Sequence, residues 1–222
     1  MKPKAIVSWS GGKDCMLALH HARRDFEIAG LLTTVTRDFG RVSMHGVRIE
    51  LLRAQAASLD LPIAEVAIPY PCPNDAYEDA MRAAWRDAQA DGVTHVICGD
   101  LFLEDIRRYR EERLFGAAAC VFPLWRRPTA EVAREFIDLG YRAVLCCVDT
   151  HALAARFAGR EFDDELLRDL PKGVDPCGEN GEFHTFVHAG PLLKTPIAFK
   201  RGESVLREGR FSYCELMPSS RQ

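Results

Sequence analysis

The chain has 222 residues, of which 47% are hydrophobic and 27% are charged, and its formal net charge is -3. This composition excludes a largely disordered chain, because it supplies ample apolar surface for a core. The nearly balanced charge argues against a protein that mainly binds a nucleic-acid backbone, since such proteins usually carry a basic excess.

The first half of the sequence alternates short apolar runs with amphipathic stretches. The apolar runs predict five buried strands, over 4–9, 28–35, 63–68, 95–98 and 118–122. Between them, apolar residues at helical spacing predict helices over 14–24, 49–59, 75–90 and 103–115. Strands that alternate with helices in this way run parallel and are joined by crossover helices. We therefore predict an α/β fold with a doubly wound, mostly parallel five-stranded sheet.

The pattern changes in the second half. The predicted elements there are a helix over 129–139, a strand over 142–148, a polar helix over 163–170 and a loop over 171–182. Short strands follow at 183–188, 197–199, 204–207 and 211–216, with turn signals at 200–203 and 208–209. We expect a larger domain over 1–125 and a smaller α+β domain over 126–222.

Neither a membrane span nor a secretory leader is expected. Every apolar run falls well short of the roughly 20 residues that a spanning helix needs, and the first four residues lead directly into a strand. The eight cysteines include no C-x-x-C pair, which is typical of reduced, buried thiols and argues against disulfides or structural zinc. These features predict a cytoplasmic protein.

A glycine motif follows the first strand and opens the first helix, with the sequence Ser10-Gly11-Gly12-Lys13-Asp14-Cys15. In an open parallel sheet, ligands bind beyond the carboxyl ends of the strands. The glycines let backbone N–H groups approach an anion closely, and the helix adds the positive end of its dipole. Lys13 adds a full positive charge, and Asp14 is suited to hold Mg²⁺ against phosphate oxygens. The motif therefore predicts a polyphosphate-binding loop.

Two other phosphate-binding motifs do not fit this loop. The Walker A motif, G-x-x-x-x-G-K-[ST], would need Gly in place of Val7 and Ser or Thr in place of Asp14. The G-x-G-x-x-G pattern is also absent, which disfavours a nicotinamide cofactor. The alternative interpretation is a plain turn in which the glycines only adopt left-handed dihedral angles.

The segment from Ser10 to Asp14 resembles the SGGxDS loop of the PP-loop ATP pyrophosphatases, which split ATP between its α- and β-phosphates. Cys15 stands where that family usually has Ser. The resemblance implies the adenine nucleotide alpha hydrolase-like fold of the HUP type, with ATP and Mg²⁺ as cofactors. It implies that residues 10–15 bind ATP, that Lys13 and Asp14 act in catalysis, and that Asp14 is the metal ligand.

Three further segments are similar to one subfamily, the diphthine–ammonia ligase-related ATP pyrophosphatases. They are Met44-His45-Gly46, Gly99-Asp100 with Arg107 and Arg110, and residues 177–183, which resemble the segment GEGGEFET; Pro123-Leu124-Trp125 also matches. The resemblance implies nucleotide contacts for His45, Gly99 and Asp100. It implies catalytic roles for Glu179 and Glu182. The implied substrate-binding residues are Arg107, Arg110, Cys177, Gly178, Asn180 and Gly181.

Taken one at a time, these residues have plainer interpretations. His45 alone would be a solvated loop histidine, and Asp100 alone a helix N-cap. Arg107 and Arg110 are neighbours on one helical face and would form exposed ion pairs with the nearby glutamates. His184, which the GEGGEFET form lacks, would be only a strand residue.

The resemblance implies an AMP-forming ligation. A carboxylate attacks the α-phosphate of ATP to give an acyl-adenylate and pyrophosphate, and ammonia then attacks the activated carbonyl. Free ammonium is the expected nitrogen source, and the acceptor is diphthine on a translation factor or a small carboxylic acid. The alternatives are a tRNA-modifying PP-loop enzyme, which the negative charge disfavours, and a regulator that binds ATP or AMP without turnover. A homodimer is compatible with the sequence.

Overall fold

The carboxyl ends of several parallel strands meet at one edge of the larger sheet in this computed structural model, which describes residues 1–42 and 45–219. The elements of the first half are β1 (Lys4–Ser8), α1 (Lys13–Ala22), β2 (Glu27–Thr36), β3 (Arg41–Val42), α2 (Ile49–Leu59), β4 (Ile63–Ile68), α3 (Asn74–Ala90), β5 (His95–Ile97), α4 (Glu104–Tyr109) and β6 (Cys120–Val121).

Strand β1 lies at the centre of this sheet and pairs in parallel with β2 and β5. Strand β2 continues to β4, and β5 continues to β6, also in parallel. The parallel order is therefore β4-β2-β1-β5-β6, and the direction of winding reverses between β1 and β5. Such a reversal opens a crevice at the carboxyl ends of the two strands, where ligands of doubly wound sheets bind.

The five predicted strands and the mostly parallel α/β fold are confirmed, and the sheet has a sixth strand. Strand β3 pairs antiparallel with the end of β2 at Val35 and Thr36. Its two residues are too few to produce a periodic pattern, so it could not be predicted from apolar spacing.

Helices cover both faces of the larger sheet. Helices α1 and α2 bury Met16, Leu19 and Leu52 against one face. Helix α3 buries Met81 and Trp85 against the other. Strands covered on both faces need apolar side chains at successive positions, which explains their continuous apolar runs.

The second half forms an antiparallel sheet of four strands in the order β8-β7-β10-β9. Its elements are α5 (Thr129–Asp138), β7 (Arg142–Asp149), α6 (Asp164–Asp169), β8 (Phe183–Ala189), β9 (Phe199–Arg207) and β10 (Phe211–Pro218). No helix in the described ranges has the length and apolar character needed to cross a membrane.

The predicted turn at 200–203 is wrong, because those residues lie inside β9. A Cβ on Gly202 would lie 3.2 Å from the Cβ of Glu215 on the neighbouring strand, so this glycine permits close strand packing. The predicted turn at 208–209 is confirmed, and the φ angles of Glu208 and Gly209, 53° and 63°, suit a tight hairpin turn.

The predicted helix over 103–115 changes its hydrogen bonding along its length. It is α-helical over Glu104–Tyr109 and continues as a π-helical segment over Arg110–Phe115. The wider π-helical turn alters the direction in which side chains leave the helix, so the spacing rule for an ordinary α-helix does not hold within Arg110–Phe115.

Candidate active site

A cleft of about 910 Å³ lies beyond the carboxyl ends of β1, β2, β4 and β5. The amino-terminal end of α1 forms one side of it, and the loop before β8 crosses it. The predicted site residues that line it are Ser10, Lys13, Asp14, Cys15, His45, Gly99, Asp100, Arg110, Cys177, Gly178, Glu179, Asn180 and Gly181. Two halves of the chain therefore contribute to one cavity.

The glycine loop is held from behind by Gln55 on α2. Gln55 is fully buried, and its Nε2 donates to the carbonyl oxygens of Gly11, at 3.0 Å, and Val187, at 2.6 Å. Its Oε1 accepts from Nε1 of Trp9 at 3.0 Å. Gly11 has a φ of +79°, and a Cβ there would lie 2.8 Å from Oε1 of Gln55, so only glycine fits. Gln55 was not predicted as a site residue, since its only signal was a polar side chain among apolar ones on α2.

Strand β8 fixes the other side of the loop. The amide of Val187 donates to the carbonyl of Gly11 at 2.9 Å, and the amide of Lys13 donates to Oγ1 of Thr185 at 3.0 Å. A Cβ on Gly12 would lie 3.1 Å from the carbonyl oxygen of Thr185. Gly11 and Gly12 therefore shape the backbone of the loop, although their atoms do not line the cleft.

Glycine is required at position 99 because the backbone there lies very close to the backbone at the start of α1. A Cβ on this residue would lie 2.7 Å from the backbone carbon of Asp14 and 2.8 Å from the amide nitrogen of Cys15. Only a residue without a side chain lets the end of β5 come this near to the start of α1. The backbone after β5 therefore packs directly against the start of α1 at the cleft.

The ammonium group of Lys13 is buried and fully engaged. Its Nζ donates to both carboxylate oxygens of Asp14, at 2.9 and 2.8 Å, and to the carbonyl oxygen of Cys177. It also lies 5.7 Å from the ring centroids of Phe162 and Phe183. Burial opposes the charge on Lys13, but the negative groups around it, Asp14 foremost, together outweigh burial and raise the pKa of Lys13, so the group stays protonated.

Carboxyl groups on three different segments, those of Asp14, Asp100 and Glu179, line the cleft. Burial raises the pKa of Asp14, which Lys13 opposes and Asp100 reinforces. Burial also raises the pKa of Glu179 to about 7, against a hydrogen bond of 2.8 Å from the amide of Leu101 to its Oε1. Carboxylates whose charge is disfavoured in this way gain stability when a cation enters.

The residues over 1–42 and 45–219 hold no cluster of three His, Cys, Asp or Glu side chains arranged for a metal ion. Magnesium usually takes one or two carboxylates, with phosphate oxygens and waters as its other ligands. Asp14, at the amino-terminal end of α1, fits that pattern, because its carboxylate lies beside the loop that would hold the phosphates.

Asp100 and Arg110 form an ion pair in the cleft. Nη2 of Arg110 donates to Oδ1 of Asp100 at 3.2 Å. Nε of Arg110 and Oδ2 of Asp100 lie 2.8 Å apart, yet neither atom has a hydrogen bond of good alignment within the described part of the chain. Burial opposes the charge on Arg110, but Asp100 raises its pKa, so the guanidinium remains charged.

The structure separates the two arginines that helical spacing had placed together. Arg107 lies outside the cleft, where its Nε donates to Glu111 at 2.8 Å. Its guanidinium carbon lies 4.9 Å from the ring centroid of Phe122 and 4.8 Å from that of Trp125. Arg110 instead lines the cleft and pairs with Asp100, so the two side chains diverge although they leave neighbouring positions on the helix.

Glu182 is also turned away from the cleft. Its carboxylate accepts hydrogen bonds from the amides of Asp175 and Asn180, both at 3.0 Å, and from the side chain of Asn180 at 3.1 Å. Its buried oxygens are thus used within the loop, so the expectation of a catalytic Glu182 does not agree with its position. Asp175, which was not predicted as a site residue, accepts from the amides of Cys177 and Glu179 in the same loop.

His45 lines the cleft beside His184, with ring centroids 4.5 Å apart. Burial lowers the pKa of both imidazoles, that of His184 to about 4, and the nearby charge of Lys13 acts in the same direction. Both are therefore neutral near pH 7. Met44, the neighbour of His45 in the motif, lies outside the described residues.

Replacing Gln55 by Leu is expected to destabilise the protein by about 1–3 kcal/mol. The change leaves the buried Nε1 of Trp9 without its acceptor and removes the side-chain donor to the carbonyl oxygens of Gly11 and Val187. Urea unfolding measures the change. Gln89→Leu, on the exposed side of α3, is the matched control and should leave the midpoint within error. Equal midpoints for the two variants would show that Gln55 does not hold the loop.

Comparison with known proteins matches both halves of the chain. Residues 3–114 match the family model "Diphthamide synthase N-terminal domain", and residues 128–216 match "Diphthamide synthase C-terminal domain". Proteins named diphthine--ammonia ligase are similar in Danio rerio, at 31% identity over 61% of this chain and 56% of the relative. The Schizosaccharomyces pombe protein of that name is 25% identical over 91% of this chain and 37% of the relative. The human protein of that name is 28% identical over 61% of this chain and 53% of the relative.

The chain thus spans between 37% and 56% of the length of these three relatives. Among solved structures, a crystal structure described as a predicted subunit of tRNA methyltransferase from Methanocaldococcus jannaschii is similar, with a TM-score of 0.40 and 15% identity. That similarity covers 88% of this chain and 100% of the other.

Proposed function

Because this chain belongs to the diphthamide synthase family, we propose that it is an ATP-dependent ligase that activates a carboxylate, releases AMP and pyrophosphate, and joins the carboxyl carbon to ammonia. The observation that carries the proposal is the glycine loop at the reversal of winding, backed by a buried lysine and facing three carboxyl groups. Relatives named diphthine--ammonia ligase support the same reaction class.

We assign the pyrophosphate part of ATP to the loop Ser10–Cys15. The start of α1 offers backbone N–H groups and the positive end of its dipole to an anion. A Cβ atom at Gly11 or Gly99 would collide with neighbouring groups and one at Gly12 would be crowded, so the backbone packs closely around these glycines. Lys13 adds a permanent positive charge close behind the loop. Together these groups would stabilise the charge that develops on the departing pyrophosphate.

Asp14 is the proposed ligand for Mg²⁺. Its raised pKa fits a carboxylate that lacks a cation partner beyond Lys13. When bound, Mg²⁺ would neutralise charge on the phosphate oxygens. Asp14 would hold the metal ion close to the ammonium group of Lys13, since the side chains of Asp14 and Lys13 are in direct contact.

Glu179 is the proposed base for the second half-reaction. A group with a pKa of about 7 is suited to accept a proton at neutral pH, and Glu179 lies in the cleft on the loop that crosses the glycine motif. It would take a proton from the attacking nitrogen. The leaving group is AMP, so the amide forms as the acyl–phosphate bond breaks.

The acceptor carboxylate is assigned by class. Following the relatives, it would be diphthine on a translation factor, or alternatively a small carboxylic acid. We assign nucleotide binding mainly to 1–125 and acceptor binding mainly to 126–222, with Arg110 and the loop 177–181 bordering the acceptor. Arg110 would contribute a fixed cation to attract a carboxylate.

The products of ATP turnover test the proposal. Protein, Mg²⁺ and ATP are incubated with ammonium and a set of carboxylates, and the nucleotide products are separated by ion-exchange chromatography. We expect AMP and pyrophosphate, with formation of an amide that depends on ammonium. ADP and phosphate would overturn the proposal, and ATP binding without any turnover would favour a regulator instead.

A further inference from the structure

Strand β9 is the outer strand of the four-stranded sheet and is unusually exposed. It pairs with β10 on one side, and no other described strand lies on its opposite side. Residues 203–207 are exposed on both faces of the sheet. Val205 and Leu206 are among the most exposed large apolar side chains, at 48% and 57%. An open strand edge of this kind readily pairs with another strand.

The hairpin that carries this edge is anchored to the body of the protein. Oη of Tyr70 donates to Glu208 at 3.3 Å, and Arg201 forms an ion pair with Glu161. Arg207 lies over the ring of Tyr213 on β10, with its guanidinium carbon 5.6 Å from the ring centroid. These contacts connect the hairpin to the rest of the protein.

The charge pattern of the strand is complementary to itself in one register. In an antiparallel pair of β9 strands centred on Val205, Glu203 of each copy lies opposite Arg207 of the other. Centring the pair on Glu203 would oppose two glutamates. Centring it on Ser204 would oppose Arg201 and Arg207. Opposite charges across a strand pair are stabilising and like charges are destabilising.

We propose that two copies of this chain associate through β9, antiparallel and with Val205 on the two-fold axis. The two four-stranded sheets then continue into one another across the interface. Val205 packs against its counterpart, and Leu206 lies opposite Ser204. The same surface patch of each copy forms the interface, which is the usual arrangement of a symmetric dimer. The proposal is independent of the reaction assigned to the cleft.

Charge reversal tests this register directly. The molar mass of the protein is measured by sedimentation equilibrium over a roughly hundredfold range of concentration, because dimerisation follows mass action. The unchanged protein should dimerise. Glu203→Arg and Arg207→Glu should each weaken dimerisation roughly tenfold or more, because each puts like charges opposite one another twice. Asp87→Arg, on the exposed side of α3, is the control and should leave dimerisation unchanged.

Mixing the two single variants gives the sharpest outcome. In a mixed dimer, the arginine introduced at position 203 of one variant would face the glutamate introduced at position 207 of the other, and the native Glu203 and Arg207 would face each other. A heterodimer should therefore form where neither variant dimerises alone, and the double variant E203R/R207E should also recover dimerisation. A monomer at every concentration would overturn the proposal. Dimerisation that is unaffected by the single charge reversals would also overturn the proposal. So would a failure of the two single variants to form a heterodimer when mixed.

Discussion

Replacing Asp14 by Asn is expected to lower the Mg²⁺-dependent release of pyrophosphate by about 100- to 1,000-fold, the effect of removing one charged group that stabilises a transition state. The carboxylate is the proposed metal ligand, and it also forms an ion pair with Lys13, at 2.8 Å. Asn keeps the shape and one acceptor oxygen but loses the negative charge. Pyrophosphate release measured against Mg²⁺ concentration should show the loss at every concentration.

Asp60→Asn is the matched control for this change. Asp60 also pairs with a lysine, Lys194, at 2.8 Å, but the pair is exposed and lies outside the cleft. Exposed pairs of this kind contribute little to stability, so the control should retain its fold and its activity. Undiminished pyrophosphate release by the Asp14 variant would remove Asp14 from the metal site.

Replacing Glu179 by Gln is expected to slow amide formation by about 100- to 10,000-fold, the usual contribution of a general base. The raised pKa of about 7 means that the basic, charged form of Glu179 accumulates as the pH rises through 7. Amide formation by the unchanged protein, measured at a constant concentration of free ammonia, should therefore rise through this range. The Gln variant should lose that rise while still binding ATP, which a titration with a slowly hydrolysed ATP analogue measures.

Stability provides a second readout that does not depend on turnover. The pKa of Glu179 is raised from 4.5 to about 7 by folding, so the folded state disfavours the charged carboxylate. The stability of the unchanged protein should fall, relative to that of the Glu179→Gln variant, as the pH rises from 4.5 to about 7. Glu182→Gln, in the same loop, should lower stability, because the carboxylate of Glu182 accepts hydrogen bonds from the loop's own amides. A Glu179→Gln variant whose amide formation keeps the rise through this pH range would rule out Glu179 as the base.

Several parts of the site could be predicted because they are local in sequence. The residues of the glycine loop are consecutive, and their position between a strand and a helix follows from the apolar runs on either side. The same local patterns placed Gly99 and Asp100 at the end of β5, which lies beside β1 in the sheet. Strands of a parallel sheet end at a common edge, so these segments had to meet.

Other parts depended on contacts between residues far apart in the chain. Gln55 and Thr185 hold the loop through bonds to Gly11 and Lys13, and no spacing rule relates such distant positions. Periodicity also assigned Arg107 and Arg110 to one face, but their side chains turn to different partners, Glu111 for Arg107 and Asp100 for Arg110. These outcomes reflect packing, which local propensity does not encode.

The sequence by itself determined the alternation of strands and helices, the loop for a polyphosphate and the family to which the chain is similar. Each of these depends on residues that are close together in the sequence. Only the tertiary structure decided which acidic side chains face the cleft. Glu179 and Glu182 lie three positions apart in one loop, yet one is directed into the cleft and the other accepts hydrogen bonds from the loop's own amides. The direction of each carboxylate is set by the donors that folding brings within reach, and a buried carboxylate must find such donors.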